Sequence, residues 1–488
     1  MRFHPPRRSW LAIPLLGFAL APAPAHTQTQ TETETQTQTL TRPEAPPEVV
    51  ADPLLVETFD AAWRIIRDTH YDPEFNGVDW DSVREELRPK ALRAESADQL
   101  RAVLAEMLAR LGESHFAVIP AEAADVLPGE GLSIDARGNT VTPGSTDEKL
   151  EQERYGGGKH WIGVDVRVVD GRLLVTSVEP GSPADAAGVR PGWIITHIGP
   201  RDVDALIDRL AQTNAGELNI VAWQVFSEML SGPESSSARL ELLDDADNPV
   251  TVHVNRVPRA GDVVKFGNLP PMRTLLEHRW LKPGEMGTPE DKRIGYIRFN
   301  IFMVPVAPAF ERAIHEFRDA DGVIIDIRGN LGGIGALAAG MSRHLVNEKS
   351  NLGTMQMRGA KIDFTALPAR ATSWGELVTP FDGKVAVITD NISASTSEIF
   401  SGGLQAIGRA KVFGQRTAGM ALPAMMDRLP NGDVLLHAIA DYHDSTGRRL
   451  EKDGVPPDVP SEITRSDLLQ GVDAPLSDAV DWIASEED

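Results

Sequence analysis

The 488-residue chain carries 48 basic against 71 acidic side chains, a formal charge of −23 with histidine neutral. That balance excludes the Lys/Arg-rich face needed to wrap nucleic acid or anionic lipid, and 41% hydrophobic with 24% charged residues excludes a collagen, coiled-coil or multi-pass membrane chain. With zero cysteines there are no disulfides, thiolate nucleophiles or Cys-ligated zinc, so any nucleophile is Ser, Thr, Lys or a carboxylate.

Residues 1–25 read as a signal peptide: Arg2, Arg7 and Arg8 precede an apolar run from Trp10 to Ala21, and Ala23-Pro24-Ala25 ends in an A-x-A-like cleavage site. The run is too short to span a bilayer. The expectation is therefore an exported protein, periplasmic or extracellular, with no integral membrane span once the signal is removed; the route, Sec or twin-arginine, stays open. Residues 26–52 read as a linker that cannot bury a core: Thr27 to Thr41 largely alternate Thr with Gln or Glu, followed by Pro43, Pro46 and Pro47.

From 53 to 125 the apolar spacing is helical, with Phe59, Ala62, Trp63 and Ile66 on one face and Leu100, Val103, Leu104, Met107, Leu108 and Leu111 on another. A connection at 126–156 leads to a small β-rich domain at 157–258. Its first hairpin is predicted from alternating Ile162, Val164 and Val166, the turn pair Asp170-Gly171, and a second run from Leu173 to Val178. Residues 270–465 alternate strand and helix signals. Gly322-Val323-Ile324-Ile325-Asp326-Ile327 and Val385-Ala386-Val387-Ile388 read as strands buried on both faces, and Pro308–Asp319 and Gly333–Val346 as helices, which makes an α/β domain with a largely parallel sheet. Residues 466–488 read as an acidic tail. The whole is a multidomain α+β chain.

Two strand ends are candidates for chemistry, because helix N-termini present unpaired N–H groups there. Asp326-Ile327-Arg328-Gly329-Asn330-Leu331-Gly332-Gly333 breaks into a glycine-rich turn, and Ser393-Ala394-Ser395-Thr396-Ser397-Glu398 leads into the helical run Ile399–Ile407. The second fits an S-x-x-E capping box; the alternative is a serine nucleophile beside main-chain oxyanion donors. A serine needs a base, and His115 lies on a glycine break just after an amphipathic helix.

Taken together, Leu111-Gly112-Glu113-Ser114-His115, the two strand ends, Gly414-Gln415-Arg416-Thr417-Ala418-Gly419 and Gly454-Val455-Pro456-Pro457-Asp458-Val459 resemble the successive motifs of the C-terminal-processing (tail-specific) serine peptidases. The resemblance runs from about residue 53 to 460. The β-rich domain is similar to a PDZ module, through Gly163-Val164 and the stretches Val178–Ala184 and Ala187–Trp193.

The resemblance implies a crotonase-like ββα catalytic domain with Ser395 as nucleophile. The Ser-Lys branch of the family would place a lysine where this chain has Met420, which cannot take a proton. The tricorn-like branch uses Ser, His and an acid, and implies His115 as base and Glu451 as third member, with Asp453 the alternative. Oxyanion donors implied are the N–H groups of Gly332, Gly333 and Thr396, and Gly163 and Val164 would open a peptide-binding strand. The expected function is a secreted serine endopeptidase cleaving polypeptide or C-terminal segments through an acyl-enzyme, without cofactor or metal; oligomeric state stays open. The competing reading is an inactive member that binds peptides as a scaffold. None of the proposed catalytic groups lies in the β-rich domain, which implies that it governs substrate choice more than reactivity.

Overall fold

The computed structural model describes residues 52–121, 133–134, 140–141, 160–213, 218–264 and 272–486. The expected signal peptide, the linker up to residue 51 and most of the connection at 126–156 lie outside the described residues.

The helical spacing near the N-terminus gives three helices, Pro53–Thr69, Trp80–Ala91 and Ala97–Ala109, each begun by an Asp or Ser side chain (Asp52, Asp79, Ser96) that accepts from a free backbone N–H. Their apolar faces meet around Phe59, Trp63, Ile66, Leu87, Leu100 and Leu104, and the same cluster takes in Leu422, Leu429 and Leu435. The helical region is therefore not closed at residue 125. Strand Ala117–Ile119 pairs with Val434–Ala438, Ala117 opposite Leu436, and Arg101 donates to buried Asp433 at 2.7 and 3.0 Å. These contacts hold the segment just after His115 against the C-terminal half of the chain.

The small β domain is an antiparallel sheet ordered Val164–Val169, Arg172–Val178, Ile194–Ile198, Ser237–Leu243, Pro249–Asn255. Asp170 and Gly171 both take positive φ, 51° and 75°, the turn that a two-residue hairpin needs. Between its third and fourth strands lie helices Val203–Thr213 and Leu218–Leu230.

The third region contains a six-stranded sheet in the order Leu276–Trp280, Ile294–Phe299, Gly322–Asp326, Lys384–Thr389, Lys411–Gly414, Val459–Pro460, all parallel except the first pair. Every residue of Gly322–Asp326 is buried, because both faces are covered. Val323 and Ile325 pack with Phe310, Ile314, Ile399 and Phe400 of the helices on one face, and Ile324, Ala386 and Ile388 with Leu476, Val480 and Ile483 on the other. Those last residues correct the expected acidic tail at 466–488: helices Arg465–Gln470 and Ala474–Ala484 form there, and the latter buries a helical stripe that a doubly apolar sheet requires. The helix expected over Gly333–Val346 is shortened to Ala336–Ser342, since Gly332 and Gly333 hold φ of 96° and 133°.

Candidate active site

Ser395 ends the loop after strand Lys384–Thr389 and begins helix Thr396–Ala406. Its backbone sits at φ 56°, ψ −118°, a conformation that costs a non-glycine residue on the order of 1–3 kcal/mol and persists only where its surroundings dictate it. Those surroundings are explicit. The Ser395 N–H donates to Met420 O at 2.8 Å and to Glu398 Oε2 at 2.9 Å, and Ala394 N–H to Asn330 O at 3.0 Å.

Glu398 supplies the capping-box carboxylate, so the cap and the candidate nucleophile are the same serine. Fully buried, Glu398 also accepts from Thr417 Oγ1 at 2.6 Å, Gly419 N–H at 2.8 Å and Met420 N–H at 2.9 Å. Burial pushes its carboxyl up to about 7 against these four donors. It binds the Thr417–Met420 loop to the start of the Ser395 helix.

His115 follows the Gly112 break with φ 62°, in the left-handed region. Its Nδ1 lies 2.7 Å from Ser114 Oγ, which in turn donates to Glu451 Oε2 at 2.9 Å. Glu451 is 3% exposed and also accepts from Ser114 N–H at 2.9 Å and Ala421 N–H at 3.0 Å. The ionised carboxylate can only accept, so it takes the Ser114 hydroxyl proton, and Ser114 Oγ must then accept from His115 Nδ1–H. That leaves Nε2 with its lone pair. Burial pushes the His115 imidazole down to about 4, keeping it neutral, and pushes the Glu451 carboxyl up to about 7.

Met420 and Ala421 connect the two halves: one main chain accepts from Ser395 and, at the next residue, donates to Glu451. Among the described residues no hydrogen bond joins His115 Nε2 to Ser395 Oγ; such contacts are often long before substrate binds. Asp453 is exposed, and its main-chain carbonyl accepts from Arg416 Nη1 at 2.8 Å.

Gly332 lies against Ser395, where a Cβ would come within 2.7 Å of Ser395 Cβ and Thr396 N. Only glycine fits there. Its own N–H donates to Asn330 Oδ1 at 2.9 Å, which corrects its expected role as an oxyanion donor: an Asn side-chain turn has already satisfied it. The Gly333 and Thr396 N–H groups have no acceptor among the described residues. Thr396 Oγ1 donates to Gly333 O at 2.9 Å, holding the two peptides side by side.

Gly163 and Val164 lie far from these groups in sequence, at the start of the edge strand of the β domain. Gly163 takes φ 92° with no room for a Cβ beside Ser182, and Val164 pairs with Val178. The helix Leu218–Leu230 lies along that strand, and its Ile220, Val221 and Trp223 pack against Leu331, Ile392, Ala394 and Met420 around Ser395. Sequence reasoning missed Ser114 as the link between His115 and Glu451, although it stands inside the motif that singled out His115. It also took Glu398 as a cap alone.

Residues 293–461 match the model of peptidase family S41, and residues 56–109 that of the tricorn protease C1 domain. The chain is a serine peptidase. It is 25% identical over 407 residues to carboxyl-terminal-processing peptidase 3, chloroplastic, of Arabidopsis thaliana, covering 82% of this chain and 68% of that one. It is also 25% identical over 434 residues to tricorn protease homolog 1 of Streptomyces coelicolor, covering 87% of the peptidase but 34% of the relative. The solved photosystem II D1 C-terminal processing protease superposes with a TM-score of 0.54 at 20% identity, over 88% of this chain and 98% of that one, a likeness of fold. No helix among the described residues of the peptidase is long and apolar enough to cross a membrane.

Proposed function

We propose that the chain is an exported endopeptidase that cleaves polypeptides, including C-terminal segments, through Ser395, His115 and Glu451. The observation that carries this is the hydrogen-bonded line from His115 Nδ1 through Ser114 Oγ to Glu451 Oε2, in which Ser114 and Glu451 are 337 positions apart in sequence. In the mechanism, His115 Nε2 takes the Ser395 Oγ proton as the oxygen attacks the peptide carbonyl. The imidazolium is stabilised by Glu451 through the Ser114 hydroxyl. Gly333 and Thr396 N–H groups receive the oxyanion, worth roughly 3 kcal/mol per donor in comparable sites. His115 then protonates the leaving amine, and water releases the acyl group from Ser395.

The β domain is read as PDZ-like, adding a peptide strand beside Val164. The positive φ of Gly163, which turns the chain into that edge strand, supports the reading. Polypeptides follow as substrates from the peptidase activity itself. A fluorophosphonate tests the nucleophile: it should label the wild-type chain covalently and leave folded Ser395→Ala unlabelled and unable to hydrolyse peptide. Labelling undiminished in that variant would place the nucleophile elsewhere and leave Ser395 as a helix cap.

A further inference from the structure

Beside the Ser114–Glu451 contact lies a second one between the same two chain segments. Glu113 precedes Ser114, and Arg449 precedes Leu450 and Glu451. Arg449 Nη2 donates to Glu113 Oε1 at 2.8 Å and to Tyr71 Oη at 2.9 Å, Arg449 Nε to Asp441 Oδ2 at 2.6 Å, and Tyr71 Oη–H to Glu113 Oε1 at 2.5 Å. The Glu113 side chain is 1% exposed. Its other oxygen, Oε2, has no hydrogen-bond partner and faces His70 Nε2, equally unpartnered, at 3.7 Å.

A buried carboxylate needs a strong reason to be ionised. Burial by itself would raise the Glu113 carboxyl, but His70, Tyr71 and Arg449 outweigh it and hold it at about 2. Its anion in turn disfavours ionisation of Glu451. Between the two contacts runs the backbone that delivers His115 in a left-handed conformation, which has to be imposed by what surrounds it.

We infer that Glu113 and Arg449 are positioning residues: their ion pair fixes the His115 segment against the Glu451 segment and balances the charge beside Glu451. The inference rests on the triad reading above. Groups facing Glu451 are His115 and Glu113 from the loop after the third helix, with Tyr71, His70, Arg449 and Asp441 behind them, and Glu398 across the Met420–Ala421 loop segment. Removing the Arg449 charge leaves the Glu113 anion uncompensated, which favours protonated Glu451. Removing the Glu113 charge does the reverse.

The test uses the full chain with p-nitrophenyl acetate and a fluorophosphonate, across pH. In Arg449→Met, kcat should fall on the order of 10- to 100-fold with KM little changed, as when a group supporting the reacting residues is displaced. The acid limb of kcat/KM should move up by about half a pH unit or more in Arg449→Met and down in Glu113→Gln. Arg449→Lys, which keeps the charge without the fork, should restore the limb better than the rate. The double variant Glu113→Gln/Arg449→Met should return the limb towards wild type, and it stays informative if Arg449→Met alone fails to fold. An acid limb unmoved in Glu113→Gln, or one displaced as far in the double variant as the loss of Arg449 alone predicts, would overturn the inference, whatever happens to the rate. Full activity in His115→Ala would instead overturn the triad reading, so the two failures are distinguishable.

Discussion

Ser114 is a single hydroxyl between a histidine and a carboxylate, and its one proton decides the tautomer of both neighbours. With Glu451 ionised, that proton points to Oε2 and His115 carries its own on Nδ1. With Glu451 protonated, the line can reverse: the acid donates to Ser114, Ser114 donates to Nδ1, and Nε2 bears the proton and cannot act as base. Activity on a small ester should therefore rise with pH through an apparent value near 7, the value to which burial pushes Glu451, and the step belongs to the coupled pair. A profile already flat below pH 6 would contradict this. Ser114→Ala should lower kcat by roughly 100- to 1,000-fold, less than the ~10⁴ seen when a triad acid is lost outright. Glu451→Gln should be severe and Asp453→Asn mild, because Glu451 is buried and holds three donated hydrogen bonds while Asp453 is in water.

The Ser395 helix shows how an element can be both structural and chemical. Its capping carboxylate, Glu398, accepts only donors, two on each oxygen. A glutamine there would turn an NH₂ group toward two of them, so Glu398→Gln should cost about 2 kcal/mol or more and lower Ser395 labelling as well. Urea unfolding monitored by circular dichroism measures the first effect, fluorophosphonate kinetics the second. Met420 contributes to this arrangement through its main chain, accepting from Ser395 and donating to Glu398. Met420→Leu should accordingly leave both stability and rate almost unchanged; a large loss would give the thioether a role that its backbone contacts do not explain.

The three regions of the molecule meet at one place. The helical region brings His115, the α/β sheet brings Ser395 and Glu451, and helix Leu218–Leu230 of the β domain rests on the loop before Ser395 through Ile220, Ile392 and Ala394. That last contact bears on the expectation that the β domain governs substrate choice more than reactivity. Deleting residues 160–257 should slow fluorophosphonate labelling of Ser395 as well as altering peptide preference, because Ile392 and Ala394 lose their cover. Arg101 and Asp433 join the helical region to the hairpin that follows Met420, with the Asp433 side chain wholly buried and also accepting from Ala121 N–H. Arg101→Met leaves that carboxylate without its counter-charge and should destabilise the chain by roughly 3 kcal/mol. A urea midpoint unchanged from wild type would show that the pair is not needed for docking.

What the sequence by itself determined was local: the three helices from their apolar period, the parallel strands from their unbroken apolar runs, the Asp170-Gly171 turn, and the strand ends where Ser395 and Gly332 lie. Each depends on residues a few positions apart, so period and turn chemistry suffice. His115 and Ser395 could be singled out by motif and resemblance, yet the relay through Ser114 could not, because it depends on bringing together side chains 337 positions apart. The packing of helix Ala474–Ala484 under the sheet, and of the β-domain helix over the loop before Ser395, was decided in the same way. Only the tertiary structure chooses which apolar stripe covers which face, and which buried donor meets a given carboxylate, since both are settled by burial and hydrogen-bond satisfaction across the whole chain.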